Sequence, residues 1–228
     1  FLSILKIFAV ILLPFAFFVV TLRLKIQNSM EDFIHLHVHT HYSILDGQSK
    51  VNKIVDKAVA DGMRGMAITD HGVMFGIKEF ADYCSGINKG RKKEGLEPFK
   101  PIFGCEMYVA RHHKTDKIAE NGDKSGYHLI VLAKNIQGYK NLIQLVSRSW
   151  VDGFYYRPRT DREDLEKYHE GLIVCSACIA GEVPAKILRG DMEGAREACE
   201  WYHRVFGDDY YLELQRHQVT DPSLHANR

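Results

Sequence analysis

Histidines near residue 40 have a spacing that suits metal binding. His35, His37, His39 and His41 alternate with other residues, so in a strand all four would share one face. Neutral imidazole is the commonest metal ligand near neutral pH, and we expect His37 and His39, nearest the strand end, to bind metal. His35 and His41 are expected either to support the site from outside or to be structural. The alternative is a solvent-facing row of histidines on an edge strand.

More ligand-type residues follow later apolar runs. His71 comes directly after one run, and Asp70 beside it is expected to orient the His71 ring. Glu106 lies inside an apolar run, where an unpaired carboxylate would be costly to bury unless it faces a cation. Each residue has an ordinary structural explanation when it is taken alone. Together they form a set of seven candidate ligands: His37, His39, Asp46, His71, Glu106, His128 and Cys178.

This set indicates a particular chemistry. Three protein ligands and a water complete a catalytic zinc site, so seven candidates imply two or three ions that share bridging carboxylates. Metal pairs about 3.5–4 Å apart stabilise both the attacking and the leaving oxygen of a phosphoryl displacement. We therefore expect metal-assisted phosphoester hydrolysis with zinc or manganese. No P-loop, GxSxG or GxGxxG motif competes with this interpretation.

The elements that would position these residues alternate between strands and helices. Such alternation predicts an α/β fold with a parallel sheet and an active site at the carboxyl ends of its strands. His128, early in its strand, fits this rule least well. The predicted strands are Phe33–His39, Gly65–Thr69, Pro101–Val109, Tyr127–Ala133, Gly171–Ser176 and Tyr210–Gln215. The predicted helices are Val51–Asp61, Met74–Lys93, Ile136–Val151 and Val183–Val205, the last broken near Gly190, and Arg111–Gly126 is predicted to be a surface loop.

Composition narrows the class of protein. The 228 residues are 46% hydrophobic and 26% charged, which excludes disordered, collagen-like and disulfide-scaffold classes. The formal net charge is +1, and residues 30–228 alone carry about −2, so no basic nucleic-acid-binding face is evident. Five scattered cysteines favour a reducing compartment. The CxxC spacing of Cys175 and Cys178 is weak support for structural zinc or redox chemistry.

The first 29 residues differ from the rest. Residues 1–22 are almost wholly apolar, about the length of one membrane span. We interpret residues 1–29 as translated sequence upstream of a true start at Met30. A membrane anchor is the first alternative, and a cleaved secretory signal is a weaker one. The expected domain is 30–228.

Several motifs resemble a known family. His37-Val-His39, Thr69-Asp70-His71-Gly72, Gly104-Cys105-Glu106 and His128 are similar to motifs of the polymerase and histidinol phosphatase (PHP) superfamily. The segments at 35–47, 128–142, 153–159, 176–181 and 212–217 narrow the resemblance to the amino-terminal PHP domain of bacterial replicative DNA polymerase III alpha subunits. The similarity covers roughly residues 33–217.

This resemblance implies a distorted (β/α)7 TIM-like barrel that holds two or three zinc or manganese ions on the same seven ligands. The family's final Asp-x-His motif does not occur before Arg228, so we expect a barrel incomplete at its C-terminal end. The resemblance also implies a 3′–5′ proofreading exonuclease within a cytoplasmic DNA polymerase. The partners would be primer-template DNA, nucleotides and other replicase subunits, with magnesium at a polymerase site outside this chain and no membrane partner.

Two other functions fit the same residues. One is a stand-alone phosphoesterase similar to histidinol phosphatase. The other is a metal-stabilised scaffold without catalytic activity. Arg157, Arg159, Tyr155 and Tyr156 mix cations with aromatics, as nucleic-acid surfaces do, but a packed loop explains them equally well. His217 is a candidate supporting residue for the site.

Overall fold

Seven strands and six α-helices follow one another along residues 33–117 and 124–215, which the computed structural model describes. In chain order the elements are α1 (Val51–Ala60), β1 (Gly65–Ile68), α2 (Ile77–Lys93), β2 (Lys100–Val109), β3 (Tyr127–Ala133), α3 (Ile136–Val151), β4 (Phe154–Tyr155), β5 (Arg157–Thr160), α4 (Arg162–Lys167), β6 (Leu172–Cys175), α5 (Glu182–Leu188), α6 (Met192–Phe206) and β7 (Tyr210–Tyr211). A short 3-10 turn, Gly207–Asp209, precedes β7. Residues 1–29 and His217 lie outside the described part.

The strands form one mixed sheet that does not close. Its order is β4-β5-β2-β3-β6-β7, and β1 pairs with β2 beside this path. The β1–β2, β2–β5 and β6–β7 pairs are parallel, whereas β3 runs antiparallel to both β2 and β6. The α/β class is thus confirmed, the parallel sheet was wrong because β3 is antiparallel to its neighbours, and the distorted (β/α)7 barrel is not confirmed.

The direction of β3 explains the position of His128. No helix separates β2 from β3 in the predicted pattern, and parallel pairing needs a crossover of a dozen or more residues, usually helical. The antiparallel register places His128 opposite Tyr108, near the carboxyl end of β2. The amino end of β3 therefore lies at the same sheet edge as the carboxyl ends of β2 and β6.

The predicted first strand, Phe33–His39, is not a regular strand. It runs beside β1, where the Ala67 amide donates to the His35 carbonyl and the Thr69 amide donates to the Val38 carbonyl. The Thr69 hydroxyl accepts the Val38 amide at 2.8 Å. The Thr69 side chain thus accepts an amide hydrogen bond that a backbone carbonyl would accept in a continuous β-ladder. The last predicted strand is also shorter than expected, because only Tyr210–Tyr211 pairs.

The helices agree well with the sequence pattern. α1 and α3 lie within a residue of their predicted bounds, and the break near Gly190 separates α5 from α6. α2 begins three residues later than predicted, after Gly76. The main core joins α3 and α6 to the sheet through buried side chains that include Leu142, Leu145, Trp201, Tyr202, Val131 and Val174.

Two local features were not predicted. The segment at 154–160 forms the hairpin β4–β5, in which Tyr155 pairs with Arg157. The predicted surface loop Arg111–Gly126, of which 118–123 are not described, contains the buried side chain of Lys114. Its ammonium lies 3.3 Å from Asp161 and 3.0 Å from Asp164.

Among the helices of the described residues, none has the length and apolarity to span a bilayer.

Candidate metal centre

Glu106 is the centre of the site. Its side chain is 1% exposed, and four histidine rings surround its carboxylate. Oε2 lies 2.5 Å from Nε2 of His39, 3.2 Å from Nε2 of His37 and 3.2 Å from Nδ1 of His71. Oε1 lies 2.5 Å from Nδ1 of His128. The two oxygens thus face different groups of rings, as in a bridging carboxylate.

Asp46 joins two of these rings at the mouth of the site. Its Oδ2 lies 3.1 Å from Nδ1 of His39 and 2.8 Å from Nε2 of His71. Its side chain is 49% exposed, so Asp46 is the most accessible of the predicted ligands. Three overlapping groups have their ligand atoms within 4.8 Å of one another: His37–His39–Glu106, His39–Asp46–His71 and His71–Glu106–His128. Six of the seven predicted ligands therefore converge.

Cys178, the seventh, lies beside the site but outside the three groups. Its Sγ is 3.6 Å from Nδ1 of His128, and both residues line the same cleft. The turn before it contains Ala177 at φ 61°, and the His128 amide donates to the Ala180 carbonyl at 3.0 Å. The loop after β6 is thereby fixed to the amino end of β3, which keeps the thiol next to the His128 ring.

Asp70 does not have the role that the sequence suggested. It is buried and accepts the Thr40 amide at 2.7 Å, the Thr40 hydroxyl at 2.9 Å and the Ser43 hydroxyl at 2.7 Å. The Ser43 hydroxyl in turn accepts the His71 amide at 3.1 Å. Asp70 therefore fixes the loop between His39 and Asp46, and it positions the backbone rather than the ring of His71.

Sequence reasoning missed Glu213 as a site residue. Nδ1 of His37 donates to Oε1 of Glu213 at 2.8 Å, and Gln215 donates to the same oxygen at 2.7 Å. The Glu213 amide donates to the Ser176 hydroxyl at 2.9 Å. A carboxylate behind a ligand histidine fixes its tautomer and raises its basicity. The available clue was an acidic residue near the carboxyl end of the last predicted strand, at the same edge as the ligands.

Two of the remaining candidates contact residues other than the ligands. The His35 ring contacts Phe33, and the His41 ring contacts Tyr42. Within the described residues, neither ring has a hydrogen bond or ring contact to a predicted ligand. These contacts agree with the structural alternative for both residues, and a supporting role at the metal centre stays a prediction. His217 lies outside the described residues.

The site has a strong negative potential. Burial would lower the pKa of His37, but hydrogen bonds to Glu106 and Glu213 raise it to about 10. Burial also opposes the charged form of His128, yet its bonds to Cys178 and Glu106 raise its pKa to about 9. Burial would raise the pKa of Glu106, but hydrogen bonds from His128 and His37 hold it well below its usual range. A divalent cation satisfies the same potential once the ring protons leave.

The donor set fits divalent metal ions. Nδ1 of His71 is buried and has no hydrogen-bond partner, although it points toward Glu106 at 3.2 Å. Ligand atoms around one zinc ion, each about 2.0–2.1 Å from it, lie roughly 3 Å apart. The separations of 2.8–3.2 Å around Asp46 and Oε2 of Glu106 match this spacing, except for the closer His39 contact. Imidazole with carboxylate suits zinc or manganese.

The ligands open into a cleft of about 1200 Å³. Asp46, His71, Glu106 and His128 lie on its wall together with apolar side chains such as Leu212. The ligands are therefore accessible from solvent.

Comparison with known proteins yields a consistent assignment. The model of the PHP domain family matches residues 35–217. The DNA polymerase III subunit alpha of Borreliella burgdorferi is 50% identical over 192 residues, covering 84% of this chain and 16% of that protein. Its counterpart from Treponema pallidum is 43% identical over 190 residues, covering 83% of this chain and 15% of that protein. The chain therefore spans about one sixth of the length of these relatives.

A solved structure shows a weaker similarity. It is a putative metal-dependent phosphoesterase from Bifidobacterium adolescentis, 12% identical, with a TM-score of 0.36. The alignment covers 75% of this chain and 82% of that one.

Proposed function

From the premise that this chain belongs to the PHP domain family, we propose that it is a metal-dependent phosphodiesterase domain of a bacterial replicative DNA polymerase. Its reaction in that setting is removal of nucleotides from the 3′ end of a primer, as in proofreading. The identity to DNA polymerase III alpha subunits over more than four fifths of the chain supports the polymerase context. The converging ligands support the hydrolytic reaction.

One observation carries the hydrolytic part of the proposal. Glu106 directs Oε2 to His37 and His39 and Oε1 to His128, so this one carboxylate would be able to hold a metal ion with either group of rings. Adjacent divalent ions, held by the seven predicted ligands with Cys178 as the outermost, would neutralise a phosphodiester and lower the pKa of water. A site for one structural ion needs neither the shared carboxylate nor an exposed ligand such as Asp46.

The protein's own residues would orient the metal ligands and pack around them. Glu213 holds His37 with Nε2 toward Glu106, and Asp70 fixes the loop that presents Asp46. The Tyr108 ring lies 5.9 Å from that of His71 and 5.1 Å from that of His128. This buried aromatic ring packs beside both ligand rings.

We also propose the partners and setting that this function requires. Primer-template DNA, nucleotides and other replicase subunits would bind the whole polymerase, with magnesium at its separate synthetic site, in the cytoplasm. The metal ions of the present centre would be zinc or manganese, two or three in number.

A primer-degradation assay tests the proposal. The full-length protein, loaded with zinc or manganese, should shorten a primer with a mismatched 3′ end, and His71→Ala or Asp46→Asn should abolish the shortening. His169→Ala is the matched control, because His169 is exposed and its ring bonds to the Glu166 carbonyl, away from the ligands. Wild-type rates in both site variants would refute the catalytic assignment.

The same experiment distinguishes the scaffold alternative. If the wild type is inactive with every divalent metal, and metal removal only lowers its thermal stability, the centre is structural. Activity on a small phosphate monoester without activity on DNA would instead favour a phosphoesterase of the stand-alone type.

A further inference from the structure

We propose that the tip of hairpin β4–β5 is the strand-binding position of the metal centre: Arg157 contacts a backbone phosphate of a single-stranded polynucleotide, and Tyr156 stacks on a base. This inference rests on the proposed function, because it names how that site would hold its substrate.

The hairpin packs directly on a ligand turn. Trp150, just before the hairpin, donates its indole N–H to the Gly72 carbonyl at 2.7 Å. A Cβ on Gly72 would lie 2.6 Å from Cγ of Pro158 in β5. Gly72 follows the predicted ligand His71 in the chain, so β5 packs against the residue next to that ligand.

Arg157 is connected to the ligand histidines through the ring of Tyr108. Its guanidinium carbon is 5.8 Å from the centroid of the Tyr108 ring, and that ring contacts both His71 and His128. Lys124 lies 5.4 Å from the centroid of Tyr156. Within the described residues, neither cation has a carboxylate at ion-pair distance. Two cations that rest on aromatic faces instead of carboxylates remain available to a phosphate.

Tyr156 has an unfavourable backbone conformation and an exposed ring. Its φ is 58°, a region in which a bulky side chain is a genuine outlier. The residue is nevertheless 61% exposed, so burial of its ring does not offset the backbone cost. An accessible aromatic ring beside a cation is the arrangement on which single-stranded bases stack.

The neighbouring pair in the same segment behaves differently. Arg159 is fully buried and donates to the carbonyls of Lys114 at 2.9 Å and Asp116 at 2.7 Å. Its guanidinium also lies over the Tyr155 ring. Tyr155 and Arg159 therefore hold the hairpin in place, which leaves Tyr156 and Arg157 as the outward pair.

Fluorescence anisotropy with labelled oligothymidine tests this surface separately from catalysis. An oligomer of about ten nucleotides suits the usual site sizes. The zinc-loaded chain should carry Asp46→Asn in all samples, so that the oligomer stays intact. Arg157→Gln should weaken binding and reduce the slope of log affinity against log salt by about 0.7, the value for one phosphate contact. Tyr156→Asn, which tolerates positive φ, should weaken binding at least about fivefold without loss of thermal stability.

Lys167→Gln is the matched control. Lys167 is another exposed cation over a tyrosine, Tyr168, but it lies before β6, at the edge opposite the ligands. The proposal is overturned if Arg157→Gln and Tyr156→Asn bind like the background, or if Lys167→Gln weakens binding as much as Arg157→Gln does. If the primer assay shows that the wild-type centre is active, unchanged binding in Arg157→Gln and Tyr156→Asn rejects this surface alone. If the primer assay shows an inactive centre, lost binding in these two variants rejects only the proposed hydrolysis.

Discussion

Replacing Glu213 is the sharpest test of the site, because sequence patterns did not identify this residue. Glu213 accepts Nδ1–H of His37 at 2.8 Å, so it directs Nε2 of that ring toward Glu106. Glu213→Gln keeps an acceptor oxygen and removes the charge. Glu213→Leu removes both. The two variants therefore separate ring orientation from ring basicity.

The expected magnitudes follow from this difference. Loss of a carboxylate behind a ligand histidine typically costs 10–100-fold in metal affinity. We expect about tenfold for Glu213→Gln, or about 1.4 kcal/mol, and about 100-fold for Glu213→Leu. The pKa of His37, about 10 in the metal-free site, adds a pH dependence. Glu213 strengthens the binding of both the metal and the proton that competes with it at His37. The loss of metal affinity in both variants should therefore grow as the pH rises toward 10 and this competition disappears.

Competition with a chromophoric zinc chelator, at a series of fixed pH values, measures the affinity. Glu163→Gln is the control, since Glu163 is exposed and its nearest cation is His113 at 3.5 Å. Equal zinc affinity in the parent and both Glu213 variants would refute the orienting role. A loss that is larger at low pH than at high pH would refute the assigned protonation of His37.

Three other predictions concern stability. Chelation of the bound metal should lower the free energy of unfolding by about 4 kcal/mol relative to metal at 1,000 times its Kd; calorimetry showing no change would exclude metal at these ligands. Asp161, with a pKa lowered despite burial by amide hydrogen bonds and Lys114, should contribute stability above about pH 4 that is lost on acidification. Asp161→Asn should therefore cost about 1–3 kcal/mol at neutral pH and progressively less in acid, and a pH-independent loss in urea titrations would contradict this sign. Gly72→Ala, at φ 62° and against Pro158, should destabilise by about 1–3 kcal/mol, more than Gly190→Ala at φ 77° in open space; equal losses would show that the close contact is unimportant.

The sequence predicted those parts of the molecule that local chemistry determines. The bounds of α1 and α3 follow from apolar periodicity, and Asn135 caps α3 by accepting the Gly138 amide at 2.9 Å. The convergence of ligands that follow apolar runs was expected from the meeting of strand ends, and Glu106 was expected from the cost of a carboxylate inside an apolar run. These predictions needed only spacing, residue type and the rule that strand ends meet at one edge.

The features that the sequence did not predict depend on contacts between residues that are distant in sequence. The direction of β3 is set by its pairing with β2 and β6, and Glu213 meets His37 across 176 positions. The first predicted strand is not regular, because the Thr69 hydroxyl replaces a ladder bond to the Val38 amide. Lys114 looked like a loop residue because the two aspartates that bury it come more than forty residues later.

The formal charge of the centre links its metals to its substrate. With neutral rings, the three carboxylates Glu106, Asp46 and Glu213 give −3, and a Cys178 thiolate, favoured by the hydrogen bond that lowers its pKa against burial, gives −4. Two divalent ions would balance this charge. A third would leave the site positive beside an exposed cleft, which would favour an anion over a neutral ester. A phosphodiester strand carries that anion at every nucleotide, so a fully loaded centre and a cationic hairpin tip would attract the same ligand.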